Sequence, residues 1–184
     1  ESLLALAIAM GSAGKISAWV PELHVMIGSG LVIVFSMWWL YFSEAKHEAL
    51  GASNKAFVWG YGHLLVFGSA AAVGAGLAVQ VDYLTQHADI SRLMADLSLT
   101  IPAALYVFGL WLVHESHSYK SGWRRFLLPA TSVMILATSV TGFATVLTAI
   151  VLAVSLSIKL RHNTAESQRA SGSDPGMAFS SSTE

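Results

Sequence analysis

The chain has no cysteine and little charge: charged residues make up 11% of its 184 positions, against roughly 25% in an ordinary soluble domain. The missing cysteine removes disulfides, thiolate nucleophiles and cysteine-based metal sites, and leaves no redox signature of compartment. The shortage of charge excludes more. So few charged side chains cannot cover a globule of this size. The apolar surplus, 54% of residues with a mean hydropathy of +0.60, therefore has to face lipid. A formal net charge of −1 argues against nucleic acid as a partner. No G-x-G-x-x-G, Walker A, H-E-x-x-H or G-x-S-x-G pattern occurs, so nothing supports an enzyme.

What is present is a series of apolar segments. The first, about residues 2–14 and extending at most to Trp19, has no basic flank and is not a signal peptide. It is also short of the roughly 20 residues of a transmembrane helix, and reads as a helix cut within a larger protein. The second runs from Pro21 to Phe42, the third from about Ala56 to Val81, and the fourth from about Asp96 to Val113. The polar stretch "DYLTQHADISRLMAD" between the last two reads as a loop with a short interfacial helix.

The run from Phe126 to Leu160 is 35 residues long, which is about 52 Å as one helix. The hydrocarbon core is only about 30 Å thick. Either one helix protrudes, or two short ones turn at Gly142. Charge chooses between them. With two helices, eight lysines and arginines lie on the side where the second segment ends and two on the other; with one helix the count is five against five. The positive-inside rule favours eight against two, with that side cytoplasmic. The expectation is an all-α, polytopic transmembrane helical bundle of about six membrane segments, the first truncated, over residues 1–160. Residues 161–184, rich in serine and glycine, are expected to be a disordered cytoplasmic tail.

Several residues invite a role. "MWWLYF" places Trp38, Trp39, Tyr41 and Phe42 at the cytoplasmic end of the second helix, as an interfacial aromatic belt. Gly68, Ala72 and Gly76 form a small-residue ridge suited to helix packing, with a homodimer through it as the alternative. Ionisable groups at membrane depth are functional candidates because burying them is costly. Glu1 and His63 are the two. His114 and His117 share a helix face but are too few for a metal site. No cofactor is indicated.

The opening "ES" followed by "LLALAIAMGSAG", the "WWLYF" at a helix end and "GYGHLLVFG" together resemble the bacterial low temperature requirement protein A family. The resemblance covers about residues 1–160. One departure is Leu65, where that family usually carries proline. The resemblance implies a multi-pass protein of the bacterial inner membrane, of which this chain is the C-terminal half, with the N-terminal half and the lipid bilayer as its partners. Glu1, Trp38, Trp39, Tyr41 and His63 would be its signature positions. It implies no defined reaction, since the name reports growth in the cold. Two functions follow as expectations: carriage of a small solute or ion, or a non-transporting scaffold or sensor of membrane state.

Overall fold

The computed structural model describes residues 20–43, 53–115 and 126–172, and every element among them is helical. They are α1 (Val20–Ser43), α2 (Ser53–Leu84), α3 (Arg92–Leu110, continued by a π-helical turn Trp111–Glu115), α4 (Leu127–Thr138) and α5 (Ala144–Gly172). Four contain apolar stretches long enough to cross a membrane: Glu22–Ser43, Gly60–Leu84, Arg92–Val113 and Ala144–Arg161. The first expected segment lies outside the described residues. α4, with 12 residues, is only about 18 Å long.

The long apolar run divides at the glycine between α4 and α5. Gly142 has a φ of +81°, a conformation that costs a side-chain-bearing residue and suits glycine. Two hydroxyl pairs register the resulting hairpin. Thr131 Oγ1 and Ser155 Oγ lie 2.8 Å apart, and Thr138 Oγ1 and Thr148 Oγ1 3.1 Å apart. Seven residues up one helix match seven down the other, so the pairs sit two turns apart on facing sides. Interhelical hydrogen bonds of this kind contribute on average about 0.6 kcal/mol each in lipid.

α3 is the centre of the bundle. Its most extensive packing is on α2, then on α4, while α1 rests chiefly on α5. Leu99, Ala103, Val107 and Leu110 follow the helical period down one side of α3 and are all fully buried. They meet Val66 and Val73 of α2, Ile33 and Leu40 of α1, Ile135 of α4 and Leu152 of α5 in one core. Tyr106 donates its hydroxyl to the carbonyl of Met37 at 2.7 Å, tying α3 to α1. Ser132 of α4 donates to the carbonyl of Ala104 at 3.0 Å. The outer surface is apolar too: Phe35, Leu64, Val133 and Phe143 are each about two-thirds exposed. A water-facing surface does not carry so large an apolar area, whereas a lipid-facing one needs it.

Two boundaries depart from the reading of the sequence. The stretch taken as a loop with an interfacial helix contributes to two long helices instead: α2 continues to Leu84, and α3 starts at Arg92. Only residues 85–91 connect them. Gln86 makes the reversal with a φ of +57°, and the His87 N–H bonds back to the carbonyl of Asp82 at 2.9 Å. At the other end α5 runs beyond Arg161 to Gly172. The sequence there, "RHNTAESQRASG", holds several good helix formers and no proline. Residues 173–184 lie outside the described residues.

Candidate functional site

The seam between α2 and α3 begins with a proline. Pro102 has no N–H to offer the carbonyl of Ser98, four residues back. That carbonyl lies against Gly76 of α2, where a Cβ would collide with it and would stand 2.8 Å from Cα of Leu99. Glycine at 76 and proline at 102 together let the two backbones touch. One turn beyond Gly76 on the same face of α2 is Gln80, and across from it on α3 is Asp96. Both are 95% buried.

Gln80 Nε2 donates to Asp96 Oδ1 at 3.0 Å. Asp96 Oδ2 is buried with no hydrogen-bond partner among the described residues. A buried acceptor left unmade costs about 1–3 kcal/mol, and more when it carries charge. Its environment explains how the requirement is met. Asp96 lines a cavity of about 410 Å³ at the end of the bundle where α1 and α5 begin and α2 ends. Glu22 and Met26 of α1, Tyr83 of α2, and Phe143 and Thr145 at the start of α5 are among the residues of its wall. Glu22, in the first turn of α1, is exposed.

Arg92 also lines the cavity, and it is held elsewhere. Ser91 caps α3 by accepting the Met94 N–H at 3.3 Å, which places Arg92 in the first helical turn. A cation there opposes the helix dipole. Arg92 is kept by a tertiary contact: its Nη2 donates to the carbonyl of Gly142, and its guanidinium carbon lies 5.9 Å from the centre of the Phe143 ring. Arg92, the one cation among the described residues of the cavity wall, thus clasps the α4–α5 turn and gives no hydrogen bond to Asp96 Oδ2.

The residues singled out from the sequence fall elsewhere. His63 is half-buried, with its ring centroid 6.2 Å from Tyr41 and 6.0 Å from Phe67. It stands 17 residues before Gln80 on α2, about 26 Å along the helix axis. Trp38, Trp39 and Phe42 point outward, about half exposed, and contact one another edge to face or tilted. Only Tyr41 of that cluster turns inward. Of the small-residue ridge, Gly76 alone is in close contact. A Cβ on Gly68 would meet nothing within 4 Å, and Gly68 and Ala72 front an open groove of about 670 Å³ between α2 and α3. Glu1 and His117 lie outside the described residues, and His114 stands in the π-helical turn. Among the described residues no three His, Asp or Glu side chains are grouped to hold a metal ion.

Sequence reasoning passed over Asp96 and Gln80 because each lies at the edge of its apolar segment, where a polar residue normally meets water. One signal was present. Asp96, Leu99, Thr100 and Ala103 share a helical face, so an inward-facing Leu99 carries Asp96 inward with it.

The family model described as bacterial low temperature requirement A protein (LtrA) matches residues 1–160 of the chain. Neither a curated protein nor a solved structure matches it.

Proposed function

The chain belongs to the bacterial low temperature requirement A (LtrA) family and is an integral membrane protein, and we propose that it carries a small solute or ion across the bilayer. One observation supports this above the others: a buried carboxylate with an unpartnered oxygen, on a residue that lines a cavity at one end of the bundle. Ionisable groups kept inside a membrane protein mark solute and ion pathways, because their burial is costly and a purely structural bundle does better without them. We place the protein in the bacterial inner membrane, with the C-terminal end of α5 in the cytoplasm and the cavity at the opposite face. The division at Gly142 supports this orientation, since it is the arrangement that segregates cations eight against two.

Transport is tested with the full-length protein in sealed vesicles. Flux of protons, sodium or potassium above that of protein-free vesicles, lost in Asp96→Asn, is the expected result. Flux no greater than in empty vesicles for all of them, together with intact folding, turns the reading to a membrane scaffold or sensor. Orientation is tested with single cysteines at Ser91 and Ser171 and an impermeant thiol reagent. Ser91→Cys should label from the periplasm and Ser171→Cys should not.

A further inference from the structure

We propose that Asp96, through its buried and unpartnered Oδ2, is the ligand of a monovalent cation, a proton or an alkali ion, that reaches it from the cavity Asp96 lines. The proposal deepens the transport reading by naming the class of what the site holds.

Three features carry it. The first is the single satisfied oxygen. Gln80 gives Asp96 Oδ1 its hydrogen bond, and no group among the described residues reaches Oδ2. Asp96 is 95% buried, and a carboxylate taken out of water needs a positive charge or a proton. The second is the placement of Arg92. It precedes Asp96 by four residues on the same helix, the spacing at which the two would pair. It is instead anchored on the carbonyl of Gly142 and the ring of Phe143. The cation on the described cavity wall is therefore engaged at the turn, and Oδ2 is left to an external one. The third is the charge of the cavity. Among the described residues its titratable groups are Glu22 from α1, Tyr83 from α2, and Arg92 and Asp96 from α3, with none from α5. With Tyr83 neutral, the formal sum is one negative charge. A single positive charge neutralises it, whereas a divalent ion would overshoot. No cluster of three acidic or histidine side chains is present among the described residues to hold a divalent ion.

The experiment uses the full-length protein in detergent, with thermal unfolding as readout. Any ligand that binds only the folded state raises the midpoint in proportion to the logarithm of its concentration above saturation. Sodium and potassium chloride are titrated against choline chloride at constant ionic strength, and pH is varied separately in choline chloride alone. The wild-type midpoint should rise either with one alkali ion, which identifies an alkali site, or with falling pH alone, which identifies a proton site. Asp96→Asn should abolish that slope, Asp96→Glu should retain it, and Trp38→Leu, exposed at the opposite end of the bundle, should leave it in place. A wild-type midpoint that responds to none of the three ions overturns the proposal without any variant. So does an equal slope in Asp96→Asn. An Arg92→Gln protein that acquires an ion dependence absent from the wild type shows that Arg92 neutralises Asp96 itself, and overturns it too. Ion-dependent stability without vesicle flux keeps the site and removes transport. Flux with no ion dependence removes the site and leaves transport standing.

Discussion

The two ends of this bundle differ in almost every respect. At one end, Trp38, Trp39, Tyr41, Phe42, His63 and Phe67 crowd together, and four of these rings, Trp38, Trp39, Phe42 and Phe67, are about half exposed. At the other, two polar side chains from neighbouring helices are 95% buried and a carboxylate oxygen is left without a hydrogen-bond partner among the described residues. The aromatic end is conspicuous in the sequence and chemically quiet: its rings contact one another and the lipid boundary, where amphipathic aromatics are stable. The cavity end is nearly invisible in the sequence and holds the buried Asp96–Gln80 pair, although Lys159, further along α5, is buried as well. The cost of burying a residue, rather than the local density of unusual residues, marks the end where chemistry is to be sought.

The sharpest way to test this contrast is along α2, which runs between the two ends. Gly76→Val should be the most damaging substitution, since its new side chain meets the backbone at Ser98 and Leu99. Overpacking of this kind costs about 3 kcal/mol or more when the obstacle cannot move. The melting midpoint in detergent should fall by many degrees. Gly68→Val, eight residues earlier on the same helix, enters open space and should change stability by less than about 0.5 kcal/mol. Equal effects would mean that the groove beside Gly68 is filled in the intact protein.

Gln80→Leu comes next. It strips the remaining hydrogen bond from Asp96, a loss of about 1–3 kcal/mol, and should lower both stability and the ion response of the midpoint. Should stability fall while the ion response is untouched, Gln80 is a packing residue and not a support for the site. Tyr106→Phe, which removes the buried bond to Met37 between the two ends, should cost about 1 kcal/mol with no change in ion response.

The aromatic end should respond least. Trp38→Leu should alter stability by no more than about 0.5 kcal/mol, because the ring is already half out of the bundle. His63→Gln keeps a hydrogen-bonding group and removes titration, while His63→Phe keeps a ring and removes both. Vesicle flux retained in both, beside its loss in Asp96→Asn, is the expected pattern. Flux lost in both histidine variants would move the chemistry to the aromatic end and break the comparison.

Much of the fold was legible because it depends on sums over neighbours in sequence. Hydropathy summed over a segment separates lipid from water, so the membrane class and the long helices followed from composition alone. The distribution of lysine and arginine chose two helices over one for residues 126–160, and Gly142 supplied the only residue type that turns there without strain. The resemblance to the LtrA family rested on short motifs read in order, and the match over residues 1–160 agrees with it.

What composition and pattern could not decide was which face of each helix has a partner. Gly68, Ala72 and Gly76 are equivalent as a small-residue ridge. Only the crossing of α3, set by Pro102 and the Ser98 carbonyl, gave Gly76 a neighbour and left Gly68 without one. Asp96 and Gln80 likewise read as polar ends of apolar segments, and their burial depends on α1, α5 and the α4–α5 turn closing over them. The sequence by itself therefore determined that this protein lives in lipid as helices, since transfer from water is a property of each segment. Where its buried charge sits, and that one oxygen of it is open, was decided by tertiary structure alone, since satisfaction of a polar group depends on which atoms the other helices bring within about 3 Å.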